Sequence, residues 1–499
     1  MMKRYKLLFT LALSLLVFCP MGAIKADTVN QPPEPANQSE QASAAVVTDS
    51  SDSGAGARGT PSQDSQIAAK ALTVSDTSAV AGAETAASNQ TANAENLVDN
   101  SAKPATAQAA EASSEANQAQ GQAATDPPPA SKRVQELVAD MTLRQKITQM
   151  LMPDFRKWQQ EGQAAQSDMT ELNKEVAEAV DKYDFGGVIL FAENVKGTAQ
   201  TLALTQALQQ AAISNQANNG KLPLLLAIDQ EGGIVYRLGS GTALPGNMAV
   251  GATRDPELAN QAGQIIGREL SALGLNVNFA PVFDTNNNPQ NPVIGLRSFS
   301  SDPKVVARLG TAMMEGIQKY NVAVAAKHFP GHGDTEKDSH KTLPTVSFTR
   351  ERLESTEFFP FQKLISAGVA SLMVGHLNVP ALDEGKPASI SYKIVSGLIK
   401  QQLGFQGLIF SDALGMKGVA DYAESSQVDL QAFLAGNDVL LMSSDPIKGI
   451  EALKNAYSAG TINEYRLAHS VKKILKAKYW AGLNKYKPVA LTNLTKDLN

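Results

Sequence analysis

A chain of 499 residues with one cysteine cannot form an internal disulfide. A large domain with a full apolar core does without one, even outside the cell. The cysteine, Cys19, directly follows an apolar run of twelve residues, Leu7–Phe18. That run is too short for an ordinary membrane span. Lys3, Arg4 and Lys6 precede it, and the small residues Gly22, Ala23 and Ala26 come after it. This order of charge, apolar core and small residues predicts a secretory signal over residues 1–26, cleaved after Ala26. Lipid attachment at Cys19 fits less well, because bulky Phe18 occupies the position before it.

Between residues 27 and 130 there is no aromatic side chain. Ala, Ser, Gln, Thr, Asn and Asp dominate, and such a composition cannot offset the entropy of ordering a backbone. Residues 27–130 are therefore expected to be a disordered spacer. Positive charge is scarce there as well, with three basic residues against thirteen acidic ones. The net charge of −5 for the whole chain thus originates in the spacer, and the chain from residue 131 onward is close to neutral. Neither nucleic acid nor a charged membrane is expected as a partner.

From Ser131 the pattern changes. Eight short apolar runs read as strands: 147–153, 186–191, 224–229, 277–284, 322–328, 371–376, 407–412 and 438–442. Between them lie segments of helical period such as TAQTLALTQALQQAAISNQ and ELANQAGQIIGRELSALG. Continuous apolar strands alternating with helices predict a parallel sheet covered on both faces. Eight such units predict a (β/α)8 barrel over residues 131–485, with 486–499 as a tail. Asp229, Asp284, Lys327, His328, His376 and Asp412 fall at or just past the carboxyl ends of these strands, the face on which barrel enzymes build their sites. Asp412, at the end of GLIFSD, could serve as a nucleophile, a general base or a structural acceptor.

Histidine is nearly as scarce as cysteine. Of five in the chain, three stand in KHFPGHGDTEKDSH, Lys327 to His340. His328 and His332 have the spacing of a helical metal pair, but Pro330, Gly331 and Gly333 oppose a helix and Lys327 opposes a cation. No metal is expected. The segment reads as a long loop after the fifth strand, with the Gly331–Gly333 region permitting backbone movement. Asp338, two residues before His340, could hold the imidazole and raise its basicity, or merely cap local amides.

KHFPGHGDTEKDSH, AIDQEGGIVYRL, IGLRSF and FSDALGM together resemble the signature segments of glycoside hydrolase family 3, in its β-N-acetylhexosaminidase branch. The resemblance spans Val134 to Trp480. It implies that Asp412 is the nucleophile of a covalent glycosyl-enzyme, that His340 is the acid/base and that Asp338 is its partner. It further implies that Asp229, Arg237, Arg297, Lys327 and His328 bind a terminal GlcNAc. The β-glucosidase branch takes its acid/base from a second domain, for which no room is expected here. Ile234 departs from the basic residue common at that position, which would loosen contacts beyond the terminal sugar. His332 is expected to stabilise the loop, and His376 and His469 to be structural.

The implied reaction is retaining hydrolysis of terminal β-GlcNAc from peptidoglycan fragments or chito-oligosaccharides, without metal or organic cofactor. Phosphate as acceptor in place of water, β-glucosidase specificity and a sugar-binding pseudoenzyme are the alternatives. The signal implies action outside the cytoplasm, at the envelope or beyond.

Overall fold

The computed structural model describes residues 128–158, 166–214 and 222–490. The signal and all but the last residues of the spacer lie outside the described residues, as does most of the tail. Among the described residues, eight of the ten short strands follow the barrel order: β1 Leu151–Met152, β2 Gly187–Leu190, β3 Leu225–Ile228, β4 Val277–Asn278, β5 Ala323–Phe329, β6 Ser371–Val374, β7 Leu408–Ser411 and β8 Leu440–Leu441. β2 to β7 form one parallel, six-stranded sheet in sequence order. β1 pairs with β8, Leu151 opposite Leu440. Single parallel bridges, Asp154 with Ile189 and Phe410 with Val439, connect that pair to the two edges of the sheet. The architecture is TIM-barrel-like, which fits the expectation broadly.

Three strand expectations need correction: 277–284 is a strand only at Val277–Asn278, 438–442 only at Leu440–Leu441 and 147–153 only at Leu151–Met152. Residues 147–149 are helical, the last turn of α2 Leu143–Gln149. (A first helix, α1, spans Pro128–Asp140.) Thr142 and Gln145 form a reciprocal capping box that starts α2. That local signal prevails over the apolar look of ITQ, and β1 begins only at Leu151.

The remaining covering helices are α3 Lys174–Tyr183, α4 Thr198–Ile213, α5 Pro256–Ala272, α6 Pro303–Gln318, α7 Phe359–Ser366, the wide-turned α8 Lys393–Gln402, α9 Ser425–Ala435, α10 Pro446–Ser458 and α11 Glu464–Trp480. Three of them, α5, α6 and α10, begin with Asp-Pro. The Asp side chain accepts an orphan amide, and the proline fits the first helical turn, where no donor is required. Val, Ile, Leu and Phe from the strands are buried on both faces, as a covered parallel sheet requires. Phe279 and Phe410 meet edge to face, with ring centroids 5.2 Å apart. Among the described residues no helix is long and apolar enough to cross a membrane.

Candidate active site

The chain leaves β3 through Asp229, Gln230 and Glu231. Asn278, at the end of β4, pairs its side-chain amide with Gln230: its Oδ1 accepts from Gln230 N at 2.9 Å and its Nδ2 donates to Gln230 O at 2.9 Å. The carboxamide thus replaces a missing rung of the ladder and fixes the two acids flanking Gln230. Lys327, near the end of β5, reaches both. Its Nζ lies 2.5 Å from Asp229 Oδ1 and 2.8 Å from Glu231 Oε1. Arg297 closes a two-pronged contact on Glu231, Nε to Oε2 at 2.8 Å and Nη2 to Oε1 at 2.7 Å. Charge-assisted pairs of this geometry are strong and directional.

The electrostatics come from that packing. Burial pushes the Glu231 carboxyl up, but Lys327 and Arg297 outweigh it and bring it from 4.5 down to about 2. Burial opposes the Lys327 and Arg297 charges too, and the facing carboxylates reverse the effect, raising both. All three groups are therefore ionised near neutrality. Asp229 keeps part of its carboxylate open to solvent.

Asp284 forms a second node, fully buried. Its Oδ2 lies 2.7 Å from His328 Nδ1, and its Oδ1 accepts the His332 amide at 2.7 Å. Burial raises its pKa, yet the fields of His328 and His332 and these hydrogen bonds bring the net shift below the usual carboxylate range. The two imidazoles stand edge to face with centroids 5.8 Å apart. The His328 ring meets Asp284, whereas the His332 ring meets Thr335 Oγ1 and Ser339 Oγ. Among the described residues no three His, Cys, Asp or Glu groups are arranged to hold a metal ion.

Asp412 stands immediately after β7, its amide donating to Val374 O at 2.9 Å. Its Oδ1 accepts the Ala413 amide at 2.7 Å. Burial would favour the acid form. The fields of His376 and His328, the Ala413 amide and His340 together outweigh it, so Asp412 is held ionised. His376 is wholly buried and spans Ser389 Oγ at 2.7 Å and the Ala413 carbonyl at 2.9 Å. It therefore grips the residue next to Asp412, in keeping with the structural role expected of it.

The loop after β5 carries the acid/base candidates. Asp338 Oδ1 accepts the His340 amide at 2.9 Å and lies 2.8 Å from His340 Nδ1. One carboxylate oxygen thus fixes both ends of the residue, and the other ring nitrogen, Nε2, is left for a ligand. The imidazole is 63 % exposed. The glycines of this loop serve close approach. A Cβ on Gly333 would collide with the Thr285 carbonyl, and one on Gly331 with Glu357.

The structure places Asp229, Arg297, Lys327, His328 and Asp412 at the carboxyl ends of the strands or in the segments that follow them, Asp338 and His340 in the loop after β5 and Arg237 in the loop after β3. Arg237 is placed by Gln230, whose Oε1 accepts its amide at 2.8 Å, and its buried Nε has no hydrogen-bond partner among the described residues. Ile234 and Leu296 are exposed beside a crevice of about 120 Å³ that Glu231 and Arg297 also line. Sequence reasoning passes over Glu231, Asn278 and the role of Asp284. Glu231 stands within the quoted EGG segment. The other two become informative only once their partners are known.

A carboxylate floor at the carboxyl ends of parallel strands, with an imidazole–carboxylate pair on a covering loop, is the layout of a barrel with a polar-ligand site. Residues 142–477 match the family model described as the glycosyl hydrolase family 3 N-terminal domain. The chain belongs to glycoside hydrolase family 3. It is 40 % identical over 368 residues to β-hexosaminidase A of Pseudoalteromonas piscicida, a match covering 68 % of this chain and 61 % of that protein. It is 36 % identical over 292 residues to the β-hexosaminidase of Nitrosomonas eutropha, covering 57 % and 81 %. Among solved structures it is similar to a family 3 β-N-acetylglucosaminidase from Paenibacillus sp. str. FPU-7, with a TM-score of 0.65 and 40 % identity over 70 % of this chain and 65 % of that one. The chain thus spans less than two thirds of the first and third of these relatives.

Proposed function

We propose that the protein is a retaining exo-β-N-acetylglucosaminidase that works outside the cytoplasm on peptidoglycan fragments or chito-oligosaccharides. The observation that carries the reading is a half-buried carboxylate held ionised, Asp412, beneath a loop bearing the hydrogen-bonded His340–Asp338 pair. The β-hexosaminidase relatives support the choice of sugar.

Each step uses these groups. Lys327, Asp229, Arg237, Arg297 and His328 hold the hydroxyl and acetamido groups of the terminal sugar. Asp412 Oδ attacks the anomeric carbon while the C1–O bond to the leaving group breaks. Protonated His340 donates its proton to the departing oxygen, and Asp338 stabilises the imidazolium. Neutral His340 then takes a proton from water, whose oxygen displaces Asp412 and restores the β configuration. Most retaining glycosidases place two carboxyl groups in these roles. Here an imidazole takes one of them.

A slow fluorinated GlcNAc donor tests the covalent step. It should label one peptide, at Asp412, in the parent protein. Asp412→Ala should remain folded and lose hydrolysis by several orders of magnitude, as expected for a lost covalent nucleophile. A label on Asp229 or Asp284, or the same slow turnover with no labelled peptide, would overturn the assignment.

A further inference from the structure

Ser339 sits between the two residues of the acid/base pair and behaves unlike either. It is 2 % exposed, whereas the His340 side chain beside it is 63 % exposed. Its side chain and its carbonyl are both engaged, each by a different part of the site. Ser339 Oγ lies 3.1 Å from His332 Nε2, and His332 Nδ1 lies 2.8 Å from Thr335 Oγ1. The Thr335 hydroxyl donates to the His332 carbonyl at 3.1 Å, so His332 Nδ1 donates to Thr335 Oγ1 and Nε2 accepts from the Ser339 hydroxyl. Burial, and the field of His328, bring the His332 pKa down to about 4, so the ring is neutral near pH 7. The His332 amide is tied to Asp284, which also holds His328. The Ser339 carbonyl accepts the Gly418 amide at 3.0 Å. Gly418 lies in the segment that leaves Asp412, where the Met416 amide turns back onto the Ala413 carbonyl. A Cβ on Gly418 would press on the carbonyls of Ser339 and Thr342 and on His376.

From this double attachment we infer that Ser339 is a positioning residue for the glycosidic reaction. Its hydroxyl fastens the loop to the His332–Asp284–His328 group on the sugar-binding side. Its carbonyl fastens the same point to the segment that carries the nucleophile. His340 projects from the one residue of the loop that is tied to both, and the height of the proton donor above Asp412 is set there. Gly418 is required because the carbonyl must approach its amide with no side chain in between. The inference rests on His340 being the acid/base.

Leaving-group dependence separates positioning from mere folding support. A dinitrophenolate departs without a proton, whereas a sugar alkoxide requires one. Ser339→Ala should lower kcat/KM on a GlcNAc disaccharide on the order of 10- to 100-fold, the cost of a small misplacement of a catalytic group. On dinitrophenyl β-GlcNAc it should change kcat/KM by less than about threefold. Ser339→Thr, which keeps the hydroxyl, should recover most of the disaccharide activity. Gly418→Ala, made independently, should give the same selective loss through the carbonyl. His340→Ala is the control for the underlying reading. If it shows selective loss and neither Ser339→Ala nor Gly418→Ala does, the positioning role is wrong while the acid/base assignment stands. If His340→Ala loses both substrates equally, the acid/base assignment fails and this inference with it. Equal losses on both substrates in Ser339→Ala and Gly418→Ala, accompanied by a lower Tm, would reduce Ser339 to a packing residue.

Discussion

Asp429 on α9 has no part in the proposed chemistry, and its surroundings make a quantitative prediction. The carboxyl is 1 % exposed. Ser443 Oγ donates to its Oδ2 at 2.5 Å, and its Oδ1 has no hydrogen-bond partner among the described residues. Oδ2 is pressed against Gly449 of α10, where an added Cβ would collide with it. Burial, with a smaller contribution from the like charge of Asp445, raises the pKa from 3.8 to about 7 against the single Ser443 hydrogen bond. The native state therefore holds this proton more tightly than the unfolded chain does. Below about pH 4 both states are protonated and nothing is lost. Between about pH 4 and 7 only the unfolded chain ionises, and stability falls. Above about pH 7 the loss is complete, and a shift of roughly three units corresponds to about 4 kcal/mol. Asp429→Asn preserves the shape and removes the charge. At pH 8 the variant should be more stable by up to about 4 kcal/mol, on the order of 5 °C in Tm for a domain of this size. At pH 4 the gain should vanish. Thermal or urea unfolding of both proteins from pH 4 to 8 checks this, because the other titrating groups cancel in the difference. A difference that stays constant across that range would refute the reasoning.

The ion-pair cluster and the acid/base pair yield two more. Glu231→Gln removes the carboxylate that Arg297 and Lys327 share, and should destabilise the fold by about 3 kcal/mol at pH 7, as breaking a buried pair does. In the parent that stabilisation should be fully present above about pH 4.5 and lost as pH falls toward about 2, since the folded pKa of Glu231 is depressed. Urea unfolding in which parent and variant coincide at pH 7 would contradict both statements. Asp338 is held ionised chiefly by its hydrogen bonds with His340, burial notwithstanding. On the proposed mechanism, Asp338→Ala should lower kcat/KM for a disaccharide, with a smaller loss on activated aryl glycosides. Equal losses on both substrates would remove Asp338 from the proton transfer.

How far the sequence can be read depends on whether a signal is local. Runs such as LLLAID and GLIFSD are legible as covered strands because Val, Ile and Leu without polar alternation leave few other readings. The charged residue after each run then falls at the carboxyl end of its strand, which is where Asp229 and Asp412 stand. The first strand is misjudged at its start because the Thr142–Gln145 capping box, also local, outweighs the apolar run. β8 is shorter than expected, and a side chain shares its approach with the backbone: Asp438 Oδ2 accepts the Ile409 amide at 3.1 Å, while the Asp438 amide donates to the Ile409 carbonyl at 2.8 Å. Glu231 and Asp284 stay out of reach for a different reason. Glu231 meets Arg297 across 66 positions and Asp284 meets His328 across 44, and no short window contains either pair. The glycines of the acid/base loop illustrate the same limit. As sequence they suggest freedom, and as structure Gly333 marks contact with Thr285.

The distribution of charge bears on why an imidazole can take a role that a carboxyl group usually fills. Four carboxylates, Asp229, Glu231, Asp284 and Asp412, already line this face. Lys327 and Arg297 are committed to the first two, and the groups that hold Asp412 ionised are His376, His328, the Ala413 amide and His340. On the proposed mechanism, a carboxyl acid above Asp412 would become an anion as it gave up its proton, just as Asp412 became a neutral ester, and that anion would face the incoming acceptor. His340 leaves no negative charge there. It is positive before it donates, when a cation favours the approach of an anionic nucleophile, and neutral afterwards, when it must accept a proton from water. Its own counter-charge, Asp338, lies on the loop with its side chain 25 % exposed, where water screens it. The same neutrality admits an anion as acceptor in place of water. On the proposed mechanism, inorganic phosphate should therefore compete at the glycosyl-enzyme to a degree that a loop carboxylate would not permit. Product analysis in phosphate buffer checks this: a glycosyl phosphate should accumulate beside free GlcNAc, and its absence at high phosphate would refute the charge argument.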